Sequence, residues 1–322
     1  MRTNFAVGVD VGGTRIAVGL TERDGRIIKD AKQLTPKNGP FAVVDAIISL
    51  AEEVTQGTQP SEVAGVGIGL PAQVDFVRQS VEFCTNLPLS GVDVRALAMS
   101  RLRREVTIDN DGNLAALGES RWGAAKGVSD FLMLTLGTGV GGGIFIDGQP
   151  FRGWRGLAAE VGHVVIDLDG PPCPCGGKGH LESFLGRAAL ARRGREAAEQ
   201  FSGTAIRDAA VDGEITAESV VEAARAGDEV AQGILLEAGE IFGRALVGFV
   251  NVLNPRLIVV GGGIGEAADI LVQRAADVMQ AEALAGRRDV SIRQAVLGND
   301  AGILGAAALA FDEFDAREGL HR

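Results

Sequence analysis

The chain has 322 residues but only three cysteines, three histidines and two tryptophans. It has no apolar run near the roughly 18 residues that a membrane-spanning helix needs. Asp10 and the glycines after it interrupt the N-terminal apolar stretch early, so no secretory pattern is present. The cysteines are odd in number, and two of them are one residue apart. That is a poor disulfide framework and reads instead as a thiolate metal site in a reducing compartment. These absences predict a cytoplasmic protein with no membrane partner. Positive charge is also short: 31 Lys and Arg against 42 Asp and Glu leave a net charge of -11. Such a chain repels phosphate backbones, which excludes nucleic acid as its main partner. Any phosphate it binds must be held by backbone amides and a metal ion. No Walker A motif occurs, so a P-loop kinase is excluded.

Hydrophobic residues make up 46% and charged residues 23%, ample for ordinary cores, and the length suggests two domains. Residues 5–10 read as a buried strand, 11–14 as a turn, 15–20 as a second strand and 26–34 as a third. Apolar residues at Phe41, Val44, Ile47, Ile48, Ala51 and Val54 form a helical stripe, and 63–70 is again a strand. Three strands, a helix and a strand predict a mixed sheet rather than an alternating one. The opening is echoed later. Strand, glycine turn and strand over residues 7–14 recur over 133–140, which suggests duplicated domains facing a cleft. Helical patterns dominate 181–277, and a third glycine cluster, Gly261-Gly262-Gly263, follows the apolar strand 257–260. The closing segment, 302–314, is helical.

Glycine lets the backbone approach an anion with no Cβ in the way, so successive N–H groups can converge on a phosphate. Gly12, Gly13 and Thr14 offer one such set, and Gly137, Thr138 and Gly139 a second. Asp10, ending its strand, is placed to hold Mg²⁺ directly or through water. The second loop also matches G-x-G-x-x-G, but residues 143–146 continue as a strand rather than a helix, so a dinucleotide fold is discounted. Asp109-Asn110-Asp111 lies between a strand at 106–108 and a helical run from 113 to 122. One such residue serves as a helix cap, and three exceed what a cap needs. Phosphorylation of a hydroxyl needs a carboxylate that takes its proton, and Asp111 is the candidate, with Asn110 placed to bond a neighbouring hydroxyl. His163, Cys173, Cys175 and His180 are zinc-ligand types within one short glycine-rich stretch. Glu160 and Glu182 flank it as candidate acceptors for sugar hydroxyls.

Together these segments resemble the ROK family of sugar kinases and repressors. The resemblance is carried by Asp10-Val11-Gly12-Gly13-Thr14, Leu136-Gly137-Thr138-Gly139-Val140-Gly141-Gly142-Gly143 and Asn110-Asp111-Gly112-Asn113. It is carried also by Glu160-Val161-Gly162-His163 and by Cys173-Pro174-Cys175-Gly176-Gly177-Lys178-Gly179-His180-Leu181-Glu182. It implies an α/β fold of the two-lobed actin-like (ribonuclease H-like) ATPase class, each lobe a mixed sheet with flanking helices, with ATP and sugar in the cleft. The smaller lobe is expected at 1–109 plus 300–322 and the larger, with the zinc loop, at 110–299. The implied activity is transfer of the γ-phosphoryl of Mg-ATP to a hexose, foremost glucose to glucose 6-phosphate. N-acetylglucosamine, N-acetylmannosamine, fructose or allose as acceptor, polyphosphate as donor, and a non-catalytic sugar-sensing regulator are the alternatives. Repressors of the family carry a DNA-binding domain ahead of the kinase-like part, for which the sequence before the first loop leaves no room.

By the same resemblance Asp111 is the catalytic base, and Asn110, Glu160, His163 and Glu182 bind the sugar. Gly261, Gly262 and Gly263 lie near the adenosine, and His163, Cys173, Cys175 and His180 hold a structural Zn²⁺. His163 would face the metal with one ring nitrogen and the sugar with the other. A homo-oligomer, dimer or tetramer, is also implied. Three positions depart from the family pattern: His180 stands for a usual third cysteine, Ala72 for a usual glycine near the sugar, and Arg15 for a frequent lysine.

Overall fold

The computed structural model describes residues 3–267, 269–284 and 289–319. In chain order the elements are β1 (Phe5–Val11), β2 (Arg15–Glu22), β3 (Ile27–Leu34), α1 (Pro40–Thr55), β4 (Val63–Leu70), β5 (Gln73–Asp75) and β6 (Ser80–Phe83). Then come α2 (Val94–Leu102), β7 (Val106–Asn110), α3 (Asp111–Trp122), β8 (Phe131–Leu136), β9 (Val140–Ile146) and β10 (Gln149–Pro150). The chain goes on through α4 (Glu182–Leu185), α5 (Arg187–Gln200), α6 (Ala217–Arg225) and α7 (Glu229–Leu253). It closes with β11 (Leu257–Gly261), α8 (Gly262–Ala267), α9 (Asp269–Glu282), β12 (Ser291–Gln294) and α10 (Ala301–Arg317). No helix among the described residues is long and apolar enough to cross a membrane.

The chain divides into two compact α/β units. One comprises 1–129, 143–159 and 296–322, the other 130–142 and 160–295. The first thus takes in 110–129, 143–159 and 296–299 besides the residues expected for the smaller lobe, of which 320–322 lie outside the described residues. The physical reason is packing that no local periodicity reveals. Helix α3 lies so close to α10 that a Cβ on Gly305 would collide with the Leu114 carbonyl. Residues 152–155 are tied by ion pairs, Arg152 to Asp109 and Arg155 to Asp75.

The sheet of the first unit has the order β3-β2-β1-β4-β7. β1 and β2 pair antiparallel, as do β2 and β3, whereas β4 runs parallel to both β1 and β7. This is the mixed sheet that the pattern predicts. Alternation along β1 sorts its side chains by size. Val7, Val9 and Val11 join a core with α1 residues such as Val43 and Ile47. Ala6 faces α10, packed with Ala64, Ala307 and Phe311. Gly8 shares that face, and a Cβ there would strike the Ile303 carbonyl of α10. A Cβ on Gly67 of β4 would strike the Ala306 carbonyl in the same way. Small residues on one face therefore let α10 lie on the sheet backbone to backbone.

The second sheet has the order β10-β9-β8-β11-β12, with β8, β11 and β12 parallel. β9 is shared by the division, 140–142 going with the second unit and 143–146 with the first. In the second unit α7 crosses α9 closely, because a Cβ on Gly239 would lie 2.6 Å from the Leu271 carbonyl oxygen. Asp228 caps α7 by accepting the Ala231 N–H at 2.8 Å.

Gly8→Ala must push α10 off β1 and should cost about 3 kcal/mol, the upper end of ordinary overpacking. Gly248, exposed on α7 with nothing within 4 Å of its missing Cβ, is the comparator. Gly248→Ala should stabilise by about 1 kcal/mol through helix propensity. Urea unfolding of both variants checks the pair. Equal effects from the two substitutions would contradict the close approach of α10.

Candidate functional site

Parallel pairing sets the first half of the site. Asp10 of β1 pairs with Gly69 of β4, and Gly69 and Leu70 pair with Asp109 and Asn110 of β7. The first glycine turn and the Asn110-Asp111 segment therefore leave the carboxyl ends of β1 and β7, the strands on either side of β4, where α/β sheets commonly hold ligands. The turn is braced from β3's end. Gly12 donates its N–H to the Arg15 carbonyl at 2.8 Å, and the Thr35 hydroxyl donates to the Gly12 carbonyl at 2.7 Å. Gly13 and Thr14 are exposed beyond this brace. The Asp10 carboxylate points to the α10 side, where a Cβ on Gly302 would lie 2.6 Å from its Cγ. Burial pushes the Asp10 carboxyl up to about 6, because a charge there loses its water.

Asn110 ends β7 and is the N-cap of α3. Its Oδ1 accepts the N–H groups of Gly112 at 2.9 Å and Asn113 at 3.2 Å, and its Nδ2 donates to the Ala72 carbonyl at 3.2 Å. Both ends of this amide have protein partners, so a hydroxyl bound there must share them. Asp111 is the first residue of α3, half-buried, with Oδ1 accepting the Gly112 N–H at 2.9 Å. Asp109, which the sequence reading passed over, is fully buried. One oxygen accepts the Asn110 N–H at 2.8 Å and the Asn113 amide at 3.2 Å, and the other accepts Arg152 Nε at 2.8 Å.

The second unit brings the other two glycine loops together. Gly261 of β11 pairs with Thr135 of β8. Gly262, at φ 81°, sits where a Cβ would lie 2.5 Å from the Leu136 carbonyl oxygen. This position needs glycine for both reasons. In the second loop Gly137 donates to the Gly139 carbonyl at 2.9 Å, and nothing lies within 4 Å of a Cβ built on Gly137. Gly139 differs: its missing Cβ makes room for the Glu182 carboxylate, which accepts the Val140 N–H at 3.0 Å. Glu182 thus holds the second glycine loop, a contact absent from the sequence reading. Arg187, also passed over, reaches the same place. Its N–H donates to the Gly137 carbonyl at 3.0 Å, its guanidinium lies 2.9 Å from the Cβ position of Gly263, and it pairs with Glu218 at 3.0 Å.

His163, Cys173, Cys175 and His180 converge, with their ligand atoms all within 4.8 Å of one another. Cys173 Sγ lies 3.7 Å from His163 Nδ1, and Cys175 Sγ 3.2 Å from His180 Nδ1. A tetrahedral zinc with ordinary bond lengths sets such S···N edges at roughly 3.6 Å. Two thiolates and two imidazoles in this spacing fit Zn²⁺ and close its coordination. Burial pushes the Cys173 thiol up, an effect that a cation would oppose. His163 turns Nδ1 to the cluster and Nε2 towards Glu160, 3.9 Å from its Oε2. Glu160 follows Ala159, which holds φ 71°, a left-handed conformation costly for any residue with a Cβ. Glu182 Oε1 lies 3.8 Å from Cys173 Sγ, so this one carboxylate adjoins both the cluster and the second loop.

The ROK family model matches residues 6–313. The chain is 35% identical over 310 residues to a glucokinase of Thermotoga maritima, covering 94% of this chain and 96% of that protein. It is 34% identical over 313 residues to a glucokinase of Streptomyces coelicolor, covering 95% and 97%. A crystal structure of a ROK family glucokinase from Streptomyces griseus, in complex with glucose and AMPPNP, matches with a TM-score of 0.85 at 34% identity. That match covers 96% of this chain and 99% of the other.

The raised Asp10 carboxyl makes a stability prediction. Its folded value of about 6 lies above the ordinary 3.8, so the folded state holds the proton longer than the unfolded state. Stability is then lost as pH rises from about 4 through 6, by about 3 kcal/mol in full. Asp10→Asn should therefore stabilise the nucleotide-free and Mg²⁺-free protein by about that much at pH 8, and the gain should shrink towards zero near pH 4. Urea unfolding across that range is the measurement; a gain that does not change with pH would contradict it.

Proposed function

Because the chain belongs to the ROK family, we propose that it is an ATP-dependent glucokinase that transfers the γ-phosphoryl group of Mg-ATP to the 6-hydroxyl of glucose. The observation that carries this reading is the match to glucokinases over nearly the whole chain, and the Asp111 carboxylate, the three glycine loops and the His/Cys cluster support it. Asp111 is the base in this reading: it accepts the hydroxyl proton as the sugar oxygen attacks the γ-phosphorus and ADP departs. Asn110, Glu160, His163 and Glu182 bind the other hydroxyls. The capping geometry limits Asn110 to sharing its amide, and Glu182 to offering the oxygen not engaged by Val140.

Gly12, Gly13, Thr14, Gly137, Thr138 and Gly139 serve the phosphates in this reading. Gly137 is the better candidate for direct backbone approach, because its Cβ position is open whereas that of Gly139 is filled by Glu182. Gly261, Gly262 and Gly263 adjoin the second loop and serve the adenosine. Asp10 holds Mg²⁺, directly or through water, and a divalent cation beside it restores the ionised carboxylate that burial disfavours. Catalysis of this kind is mainly positioning and charge stabilisation. Zn²⁺ belongs to His163, Cys173, Cys175 and His180 as a structural ion, which pins the loop before Glu182 and aims His163 Nε2. A cytoplasmic homo-oligomer completes the proposal, with light scattering as its check.

Two measurements test it. Asp111→Asn should keep the fold and glucose affinity but lower turnover by roughly 10²- to 10⁴-fold. Glucose-dependent ADP formation with identification of the sugar phosphate, run over a panel of hexoses, reads this directly. Turnover within a few-fold of wild type sinks the base assignment, and preference for another hexose replaces the acceptor. Elemental analysis of protein purified without chelator should give one zinc per chain, and Cys175→Ala should lose most of it. Zinc removal should lower the melting temperature and weaken glucose binding. It should also raise the KM for ATP, since Glu182, two residues after His180, holds the Val140 N–H. Full activity and stability with no metal would refute the zinc assignment.

A further inference from the structure

Asp109 is fully buried at the end of β7, immediately before Asn110 and Asp111. A buried carboxylate needs a cation or a full set of donors. Here the cation is Arg152, whose Nε lies 2.8 Å from Asp109 Oδ2. The remaining oxygen accepts the Asn110 N–H and the Asn113 side-chain amide. Asp109 therefore grips the turn from β7 into α3 from inside the protein, and Arg152 neutralises that grip.

Arg152 is itself locked. Its guanidinium stacks on the Phe76 ring, 4.0 Å from the centroid. Three residues on, Arg155 pairs with buried Asp75 at 2.8 Å, and Gly156, at φ 91°, packs where a Cβ would lie 2.5 Å from the Phe76 Cβ. The turn after Asp75 is strapped in turn to β7. Gln79 donates to the Ile108 carbonyl at 3.1 Å and accepts the Ile108 N–H at 2.8 Å, as a paired strand would. The side chains of Arg152 and Gln79 thus hold the same strand end from two directions.

We propose that Arg152 is a positioning residue for phosphoryl transfer: by neutralising Asp109 it fixes the start of α3 and with it the Asp111 carboxylate. The inference rests on the reading of Asp111 as the base. Its chemistry is electrostatic. Without the guanidinium, a buried anion lies two residues from Asp111 with no counter-charge, and relieving it requires the turn to open. A small displacement of a base from the hydroxyl is costly to turnover, while the nucleotide loops of the second unit are left as they were.

The test compares Arg152→Met, Arg152→Lys, Asp109→Asn and the double variant Arg152→Met/Asp109→Asn in steady-state kinetics with glucose and ATP. Arg152→Met should lower kcat by roughly 10- to 100-fold with the KM for ATP within threefold of wild type. Arg152→Lys should recover part of the loss, because it restores the charge but not the planar stack. The double variant should be clearly faster than Arg152→Met, since an asparagine keeps the acceptor for the Asn110 N–H and removes the stranded charge. If Arg152→Met does not fold, Arg152→Lys and the double variant carry the comparison. A kcat for Arg152→Met within threefold of wild type, or a double variant no faster than the single one, overturns the proposal. An active Asp111→Asn enzyme would instead remove the reading of the base on which it rests.

Discussion

The first unit depends on how closely one helix approaches a sheet. Where glycine stands at Gly8, Gly67 and Gly305, any side chain would collide with a carbonyl of α10 or α3. The same helix makes room at Gly302 for the Asp10 carboxylate. Removing side chains from this contact forfeits some apolar burial, but it brings a helix start and two strand ends to within side-chain reach of one another. The raised Asp10 carboxyl is a consequence, because the half-buried carboxylate lies against a helix start that takes away part of its water.

In the second unit the corresponding link is a side chain. The Glu182 carboxylate fills the space that Gly139 leaves and lies beside Cys173. A residue read from its neighbourhood as a sugar acceptor is thus also the brace of a phosphate-sized loop. Two sites that the sequence presents as separate motifs share one carboxylate. This geometry links the His/Cys cluster to the second glycine loop, through the short stretch from His180 to Glu182 and one hydrogen bond.

What was legible in the chain follows from where each signal resides. The strand at 63–70 is found at those bounds, because a short apolar run ended by proline carries its own punctuation. The His/Cys cluster was legible because all four ligands fall within 18 residues, and the sequence pattern and the spatial cluster coincide. Asp109, Arg152 and Gln79 were not. Their partners lie 29 to 43 positions away, and an aspartate in a run of three cap-forming residues looks like its neighbours until the strand pairing turns it inward. The extent of the first unit was hidden for a related reason. The close approach of α3 and α10 is made at Gly118 and Gly305, which leave no amphipathic stripe to read.

The place of α10 in the chain has a consequence for biosynthesis. The sheet it covers is built from residues 5–110, yet the helix itself is residues 301–317. During synthesis the second unit, 130–142 and 160–295, is complete once residue 295 has left the ribosome. The first unit must wait with the small-residue face of β1 and β4 uncovered until some 190 further residues have been made, and long-range closure of that kind is slow and exposed to misassembly. Translation therefore imposes an order, the later unit closing first and the earlier one last, with the small-residue face of the first sheet open throughout the making of the second unit.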